Sequence, residues 1–165
     1  MRAKSSNAVV TLPSLKLAVH VTRGSQSPHT TLEPLRIGHS RTIMLVEDDE
    51  DIRLVTAYFL ETLDFTVVAC ANAEAALRAF REVQTIDLLI TDLQMPGRSG
   101  VELAFDLTAI RPSLPVLIVS ASIMQDQTLT AIWQHGWAFL AKPCKFDSLL
   151  SIISSLLNPI YPLAA

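Results

Sequence analysis

The sequence predicts an α/β fold in which five parallel strands form one doubly wound sheet, with five helices on its two faces. Half of the 165 residues are apolar, which is enough to bury the core of about one domain. From residue 41 onward, short apolar runs alternate five times with segments of helical period. This alternation is typical of a parallel sheet wrapped by helices.

The strands are predicted from runs rich in Val, Ile and Leu, near residues 42–46, 65–70, 86–91, 115–120 and 137–141. The helices are predicted near residues 50–63, 73–83, 99–110, 124–135 and 146–157. In the last helix, Leu and Ile occupy one face and serines the other, so it packs on one side only. Asn158-Pro159 ends this helix.

Residues 1–40 are predicted to be a flexible leader without a strand or helix of its own, followed by one domain at 41–158 and a short tail at 159–165. Pro13 and Lys16 interrupt the apolar patches of the leader, and residues 24–28 are typical of a flexible linker. A mis-assigned start of translation would also explain such a segment. Because every candidate site residue follows it, we expect the leader to be dispensable for the site.

Charge is divided unevenly along the chain. Residues 1–40 carry five basic residues and one acidic residue, a net +4, and the rest carries eight basic and fifteen acidic residues, a net −7. An acidic domain is a poor match for nucleic acid, so we expect no nucleic-acid partner.

Export and membrane signals are weak in this sequence. No apolar run approaches the ~20 residues that span a bilayer, and the chain start lacks a clear cleavage site. We therefore expect a cytoplasmic protein without a membrane partner.

Cys70 and Cys144 are expected to be free thiols in a reducing compartment, since these two cysteines show neither a disulfide framework nor a metal-binding pattern.

Four of the apolar runs stop at residues that can handle a phosphoryl group. Glu47 and Asp48 follow the first strand, and Asp92, Ser120 and Lys142 follow three later strands. Because ligands bind beyond the carboxyl ends of parallel strands, these residues are predicted to converge in one crevice. A carboxylate nucleophile for phosphoryl transfer needs a divalent cation beside it to offset charge, so clustered acids indicate a metal site.

Each of these residues also has a plainer interpretation. The acids at 47–51 can be helix-start residues favoured by the helix dipole, an interpretation that we prefer for Glu50 and Asp51, while Asp49 is undecided. Ser120 can cap the following helix, and Lys142 can be a surface lysine before a turn.

Four stretches resemble the receiver domain of two-component response regulators, and the resemblance covers roughly residues 42–157. They are IMLVEDD at 43–49, LLITDLQMPG at 88–97 with Gly100, PVLIVSA at 115–121 and FLAKP at 139–143. The resemblance implies the flavodoxin-like fold of the chemotaxis regulators and signalling through a phosphorylated aspartate.

The resemblance also implies a role for each acid. Asp92 is the phosphoacceptor, which takes a phosphoryl group from a histidine kinase or a histidine phosphotransfer protein. Asp48 and Asp92 bind Mg²⁺ directly, the carbonyl of Gln94 completes the set, and Glu47 acts through water.

Three further residues receive roles by resemblance. Lys142 places its ammonium against the phosphoryl oxygens, and its peptide bond to Pro143 is usually cis in the family. Ser120 donates its hydroxyl to the phosphoryl group once that group is attached. Phe139 occupies the position of the switch aromatic, although it can equally be a core aromatic of its strand.

The leading hypothesis is a stand-alone receiver that is no enzyme beyond Mg²⁺-dependent self-phosphorylation and slow autodephosphorylation. Without an output domain it signals through an unknown protein partner or onward phosphotransfer, and self-association into a homodimer is left open. The alternative is a receiver-like interaction module that is not phosphorylated. A hydrolase on a similar sheet would need a second acid two residues after Asp92, where Gln94 stands.

The output surface is predicted to comprise helix 124–135, strand 137–141 and helix 146–157. Trp137 is the predicted anchor for a partner, because a partly exposed Trp buries much area at little entropic cost. Trp133 lies four residues earlier, so the two rings can instead stabilise the corner between helix and strand.

Overall fold

The computed structural model describes residues 8–12, 15–19, 41–83, 85–121 and 126–158, with backbone alone at 8–12, 15–19, 126 and 127. The chain divides into two units, Met1–Ile37 and Gly38–Ala165. The predicted linker and the predicted C-terminal tail lie outside the described residues. Across the described segments, none of the helices has the length and apolar character that crossing a bilayer requires.

The first unit contains a β-hairpin. Its strands β1 (Ala8–Leu12) and β2 (Leu15–Val19) pair antiparallel, with Leu12 opposite Leu15. The prediction that the leader has no strand of its own is therefore wrong. Pro13 falls between the two apolar runs, which are separated by two residues, the spacing of a short hairpin connection.

The second unit contains a parallel sheet of five strands in the order β4-β3-β5-β6-β7. The strands are β3 (Thr42–Val46), β4 (Thr66–Cys70), β5 (Leu88–Asp92), β6 (Val116–Ser120) and β7 (Ala138–Ala141). Every residue of β5 and β6 is buried, as expected where helices cover both faces of a parallel sheet. The predicted doubly wound α/β fold is confirmed.

Four helices lie between successive strands and a fifth follows β7: α1 (Glu50–Glu61), α2 (Ala73–Glu82), α3 (Gly100–Ile110), α4 (Asp126–Gln134) and α5 (Phe146–Leu157). Asp49, Asn72 and Ser99 cap the N-termini of the first three helices, since each side chain accepts a hydrogen bond from the backbone N–H three residues later. In α3 the cap is reciprocal, and the hydrogen bonds from the backbone N–H and hydroxyl of Ser99 lower the pKa of Glu102. Each helix lies where the sequence predicts one.

Trp137 belongs to the core, so its predicted role as an exposed partner anchor is wrong. Its side chain is 7% exposed, and its ring packs against those of Phe105 and His135 at centroid distances of 5.0 Å. Phe105 comes from α3, and Trp137 directly precedes β7. On the predicted output surface, Trp133 is the tryptophan that faces solvent, at 68% exposure.

Replacing Trp137 by Ala is expected to lower the free energy of unfolding by about 3 kcal/mol, because it leaves a cavity against Phe105. Denaturant unfolding measures this loss. The matched control is Trp133→Ala, which removes the same ring from an exposed position and is expected to cost less than about 0.5 kcal/mol. Equal losses in the two variants would contradict the core assignment.

Candidate functional site

The carboxyl ends of four strands meet at one edge of the sheet. The register places Val46 of β3 beside Thr91 of β5, and Asp92 beside Val119 of β6. Ser120 then pairs with Ala141 of β7. The residues at or just beyond these ends are Glu47, Asp92, Ser120 and Lys142, so the predicted convergence of polar residues is present in the structure.

Three carboxyl groups form a cluster at this edge. One carboxylate oxygen from each of Glu47, Asp48 and Asp92 lies within 4.8 Å of the other two. Glu47 and Asp92 are nearly buried, at 5% and 9% exposure, whereas Asp48 is exposed. Carboxylate oxygens that converge at a partly open position are the donors that a hard divalent cation such as Mg²⁺ prefers.

Lys142 places its ammonium among these acids. Its Nζ donates to Glu47 Oε2 at 2.6 Å and to Asp92 Oδ2 at 2.5 Å. The two acids precede Lys142 in the sequence by 95 and 50 residues. With three carboxylates ionised, the cluster and this ammonium carry a net charge of −2, which a divalent cation would neutralise.

The surroundings of Glu47 and Lys142 raise the pKa of both side chains. Burial raises the pKa of Glu47, and this effect outweighs the hydrogen bond and positive charge of Lys142. Burial alone would lower the pKa of Lys142, but its hydrogen bonds with Asp92 and Glu47 raise it overall. The ammonium is therefore held in its charged form between the two carboxylates.

Backbone packing fixes the position of Asp92. The Gln94 N–H donates to Asp92 Oδ1 at 3.0 Å, and the buried Thr91 hydroxyl donates to the Asp92 carbonyl at 3.0 Å. Gly100, at the start of α3, donates its N–H to the carbonyl of Leu93 at 3.0 Å. A Cβ at Gly100 would lie 1.9 Å from the Asp92 carbonyl oxygen, so this close approach of helix and strand requires glycine.

Ser120 ends β6 next to the cluster, and Phe139 lies in the neighbouring strand β7. Ser120 is 1% exposed, and its carbonyl accepts the backbone N–H of Lys142 at 2.7 Å. The described residues of α4 begin at Asp126, and the alternative role of Ser120 as a helix cap stays a prediction. Phe139 is half-buried and packs against the core, and the peptide bond between Lys142 and Pro143 is cis.

The acids after Asp48 belong to the helix start. Asp49 accepts the N–H of Ile52 at 3.0 Å and caps α1, which settles the one acid that the sequence left undecided. Glu50 and Asp51 are exposed in the first turn, in line with the preferred interpretation.

The sequence did not predict one contact at this loop: the Arg53 side chain donates hydrogen bonds to the carbonyls of Glu47 and Asp48. Backbone acceptors leave no mark in a sequence pattern.

The family model of the response regulator receiver domain matches residues 43–154. The fold and the acidic cluster with its lysine agree with this match. The chain belongs to the response regulator receiver domain family.

Curated relatives are similar over this region. The DNA-binding transcriptional regulator NtrC of Azospirillum brasilense is 32% identical over 124 residues, which cover 75% of this chain and 26% of the relative. The C4-dicarboxylate transport transcriptional regulatory protein DctD of Rhizobium meliloti is 31% identical over 109 residues, covering 66% and 24%. The chain thus spans about a quarter of the length of these relatives.

Solved structures share the fold. A response regulator receiver domain protein from Clostridium thermocellum has a TM-score of 0.67 at 25% identity, covering 71% of this chain and 94% of that one. The response regulator TrrA of Thermotoga maritima, in complex with Mg²⁺-BeF, has a TM-score of 0.64 at 26% identity, covering 71% and 99%.

Proposed function

We propose that this chain is a receiver domain that accepts a phosphoryl group on Asp92 from a phosphohistidine of a histidine kinase or histidine phosphotransfer protein. The observation that carries the proposal is the contact of Lys142 Nζ with Asp92 Oδ2 inside a cluster of three carboxylates. The family match supports the same chemistry. Receiver domains are signalling modules, and the self-phosphorylation of this chain is part of the proposal.

In the proposed transfer, a carboxylate oxygen of Asp92 attacks phosphorus. The new P–O bond forms as the P–N bond to the donor imidazole breaks, and the imidazole leaves with the electron pair. Asp92 acts as the nucleophile, held by the Gln94 N–H on its other oxygen. Lys142 binds an oxygen of the incoming group, and Ser120 donates its hydroxyl to the attached phosphoryl group.

The donor set fits Mg²⁺, since the clustered oxygens belong to carboxylates. Asp48, Asp92 and the carbonyl of Gln94 would hold the ion directly, and Glu47 would hold it through water. When bound, Mg²⁺ offsets the charge of the phosphoryl oxygens. The similar structure of the Thermotoga maritima regulator with Mg²⁺-BeF supports this assignment.

The signal is proposed to leave through protein contact or onward phosphotransfer. Movement of Ser120 toward the phosphoryl group would draw Phe139 inward and change the surface of α4, β7 and α5. Trp133, exposed on α4, is an aromatic side chain available to a partner there. Because the relatives named above are transcriptional regulators, the absence of a nucleic-acid partner stays a prediction from charge alone.

Intact-mass spectrometry after incubation with a small phosphodonor tests the function. We expect the mass of one phosphoryl group to be added with Mg²⁺ and not when a chelator replaces it. A chain that keeps its mass under both conditions would instead support the alternative, an interaction module that is not switched by phosphate.

Asp48→Asn is expected to weaken Mg²⁺ binding, because the substitution replaces a charged oxygen ligand with a neutral amide. The loss should be at least about tenfold, since even outer-shell changes cost that much. Calorimetric titration with Mg²⁺ measures it. The control is Asp49→Asn, whose side chain still caps α1 and which should keep the wild-type affinity. Equal affinities in all three proteins would remove Asp48 from the ligand set.

A further inference from the structure

The loop between β3 and α1 carries two of the three clustered carboxylates, and its backbone is held from several sides. We call residues 47–49 the acidic loop. The Glu47 N–H donates to the carbonyl of Cys70 at 3.1 Å, which ties the loop to β4. The Asp49 side chain accepts the N–H of Ile52, which ties the loop to α1.

Arg53 supplies the remaining contacts. From α1 its guanidinium reaches back over the first turn, and Nη1 donates to the carbonyls of Glu47 at 2.7 Å and Asp48 at 3.2 Å. Its backbone N–H donates to the carbonyl of Asp49 at 2.9 Å. One residue is therefore hydrogen-bonded to all three members of the acidic loop.

We propose that Arg53 is a positioning residue for the cation-binding carboxylates of Glu47 and Asp48. It contacts neither carboxylate in this arrangement, and acts by fixing the two peptide carbonyls that set where those side chains point. Mg²⁺ demands near-ideal octahedral geometry, so a small rotation of this loop weakens its binding. The inference deepens the proposed function and rests on it.

The charge of Arg53 works in the opposite direction. A guanidinium near the acidic cluster repels an incoming cation, so removal of the charge alone would tighten Mg²⁺ binding. Loss of positioning would instead weaken it. The sign of the change therefore separates the two effects, and Arg53→Lys separates them again because it keeps the charge but lacks the planar group of five donors.

The first experiment measures Mg²⁺ affinity of the full chain by calorimetric titration. We expect Arg53→Gln to bind Mg²⁺ about tenfold more weakly, the lower end of the cost of losing an outer-shell partner, and Arg53→Lys to fall between it and wild type. The control is Arg78→Gln. Arg78 is an exposed cation of α2. Burial raises the pKa of Cys70, and the positive charges of Arg53 and Arg78 both oppose this rise, so Arg78 matches Arg53 in charge and in its influence on Cys70. This control should match wild type.

The second experiment needs no metal. Amide hydrogen exchange of the Mg²⁺-free chain should be faster at residues 47–50 in Arg53→Gln, with β5 and β6 unchanged. Exchange that rises equally throughout the sheet would make Arg53 a general stability residue and overturn the inference. So would an affinity in Arg53→Gln that equals or exceeds that of wild type.

The two proposals fail in different ways. If the wild-type chain binds no Mg²⁺, the proposed function fails and the inference fails with it. If wild type binds Mg²⁺ and both Arg53 variants bind it with the affinity of wild type, the inference alone fails.

Discussion

Asp92→Asn is expected to add no phosphoryl mass with a phosphodonor and Mg²⁺, whereas the wild-type chain is expected to add one group. The amide keeps the shape of the side chain but is neither a nucleophile nor a charged cation ligand. Intact-mass spectrometry over a time course measures the difference. The expected effect is a complete loss, because Asp92, the last residue of the central strand β5, is the buried carboxylate that we propose as the nucleophile beside Lys142.

The control for this experiment is Asp106→Asn. Asp106 lies on α3, where it pairs with Arg98 at the surface and takes no part in the carboxylate cluster. This variant should gain the phosphoryl mass as wild type does. A wild-type mass gain in Asp92→Asn would remove Asp92 as the acceptor, and peptide mapping of the phosphorylated chain would then locate the residue that carries the group.

Gly100→Ala is expected to lower the free energy of unfolding by about 3 kcal/mol, the upper part of the usual range for overpacking. The added Cβ would meet the carbonyl oxygen of Asp92 at 1.9 Å and Thr91 Oγ1 at 2.9 Å. Either α3 or the end of β5 must move. Since displacement of a reacting group by about 1 Å can cost 100-fold in rate, we expect phosphorylation to slow by about that factor as well.

Gly136→Ala is the control for this clash. Gly136 has φ +67°, and a Cβ there would meet no atom within 4 Å. Its substitution carries only the conformational cost of a left-handed residue, about 1–2 kcal/mol, and should leave the phosphorylation rate unchanged. Denaturant unfolding and the mass-spectrometric time course measure both variants. A Gly100 variant that behaves like the Gly136 variant would contradict the close approach.

The sequence pattern predicts the sheet well because buried parallel strands are continuous apolar runs. β3 and α5 have the predicted bounds, and each of the other strands and helices of this unit differs from its predicted bounds by one or two residues at one or both ends. The polar residues that follow these runs were predictable for the same reason, since topology brings the strand ends together. Their roles came from the family resemblance and remain predictions.

Other features depend on contacts that a local pattern does not contain. Trp137 is buried in the core and packs against Phe105 of α3, which is distant from it in sequence. Arg53 holds the acidic loop through backbone carbonyls, which every residue possesses, so no residue type marks the contact. The pairing of residues 8–12 with 15–19 has a usable signal in the two-residue spacing of the apolar runs, but the prediction from sequence treats Pro13 and Lys16 as interruptions of an apolar stretch.

The ion pair between Lys142 and Glu47 spans 95 residues and joins the end of β7 to the end of β3. In the sheet, β5 and β6 lie between these two strands, so the geometry of the pair depends on the ladders that join all four strands. A ligand that needs this geometry binds the native state in preference to the unfolded chain. By mass action, a ligand at 100 times its Kd adds about 2.7 kcal/mol to stability. Occupancy of the site by a cation would thus protect the chain against unfolding and proteolysis.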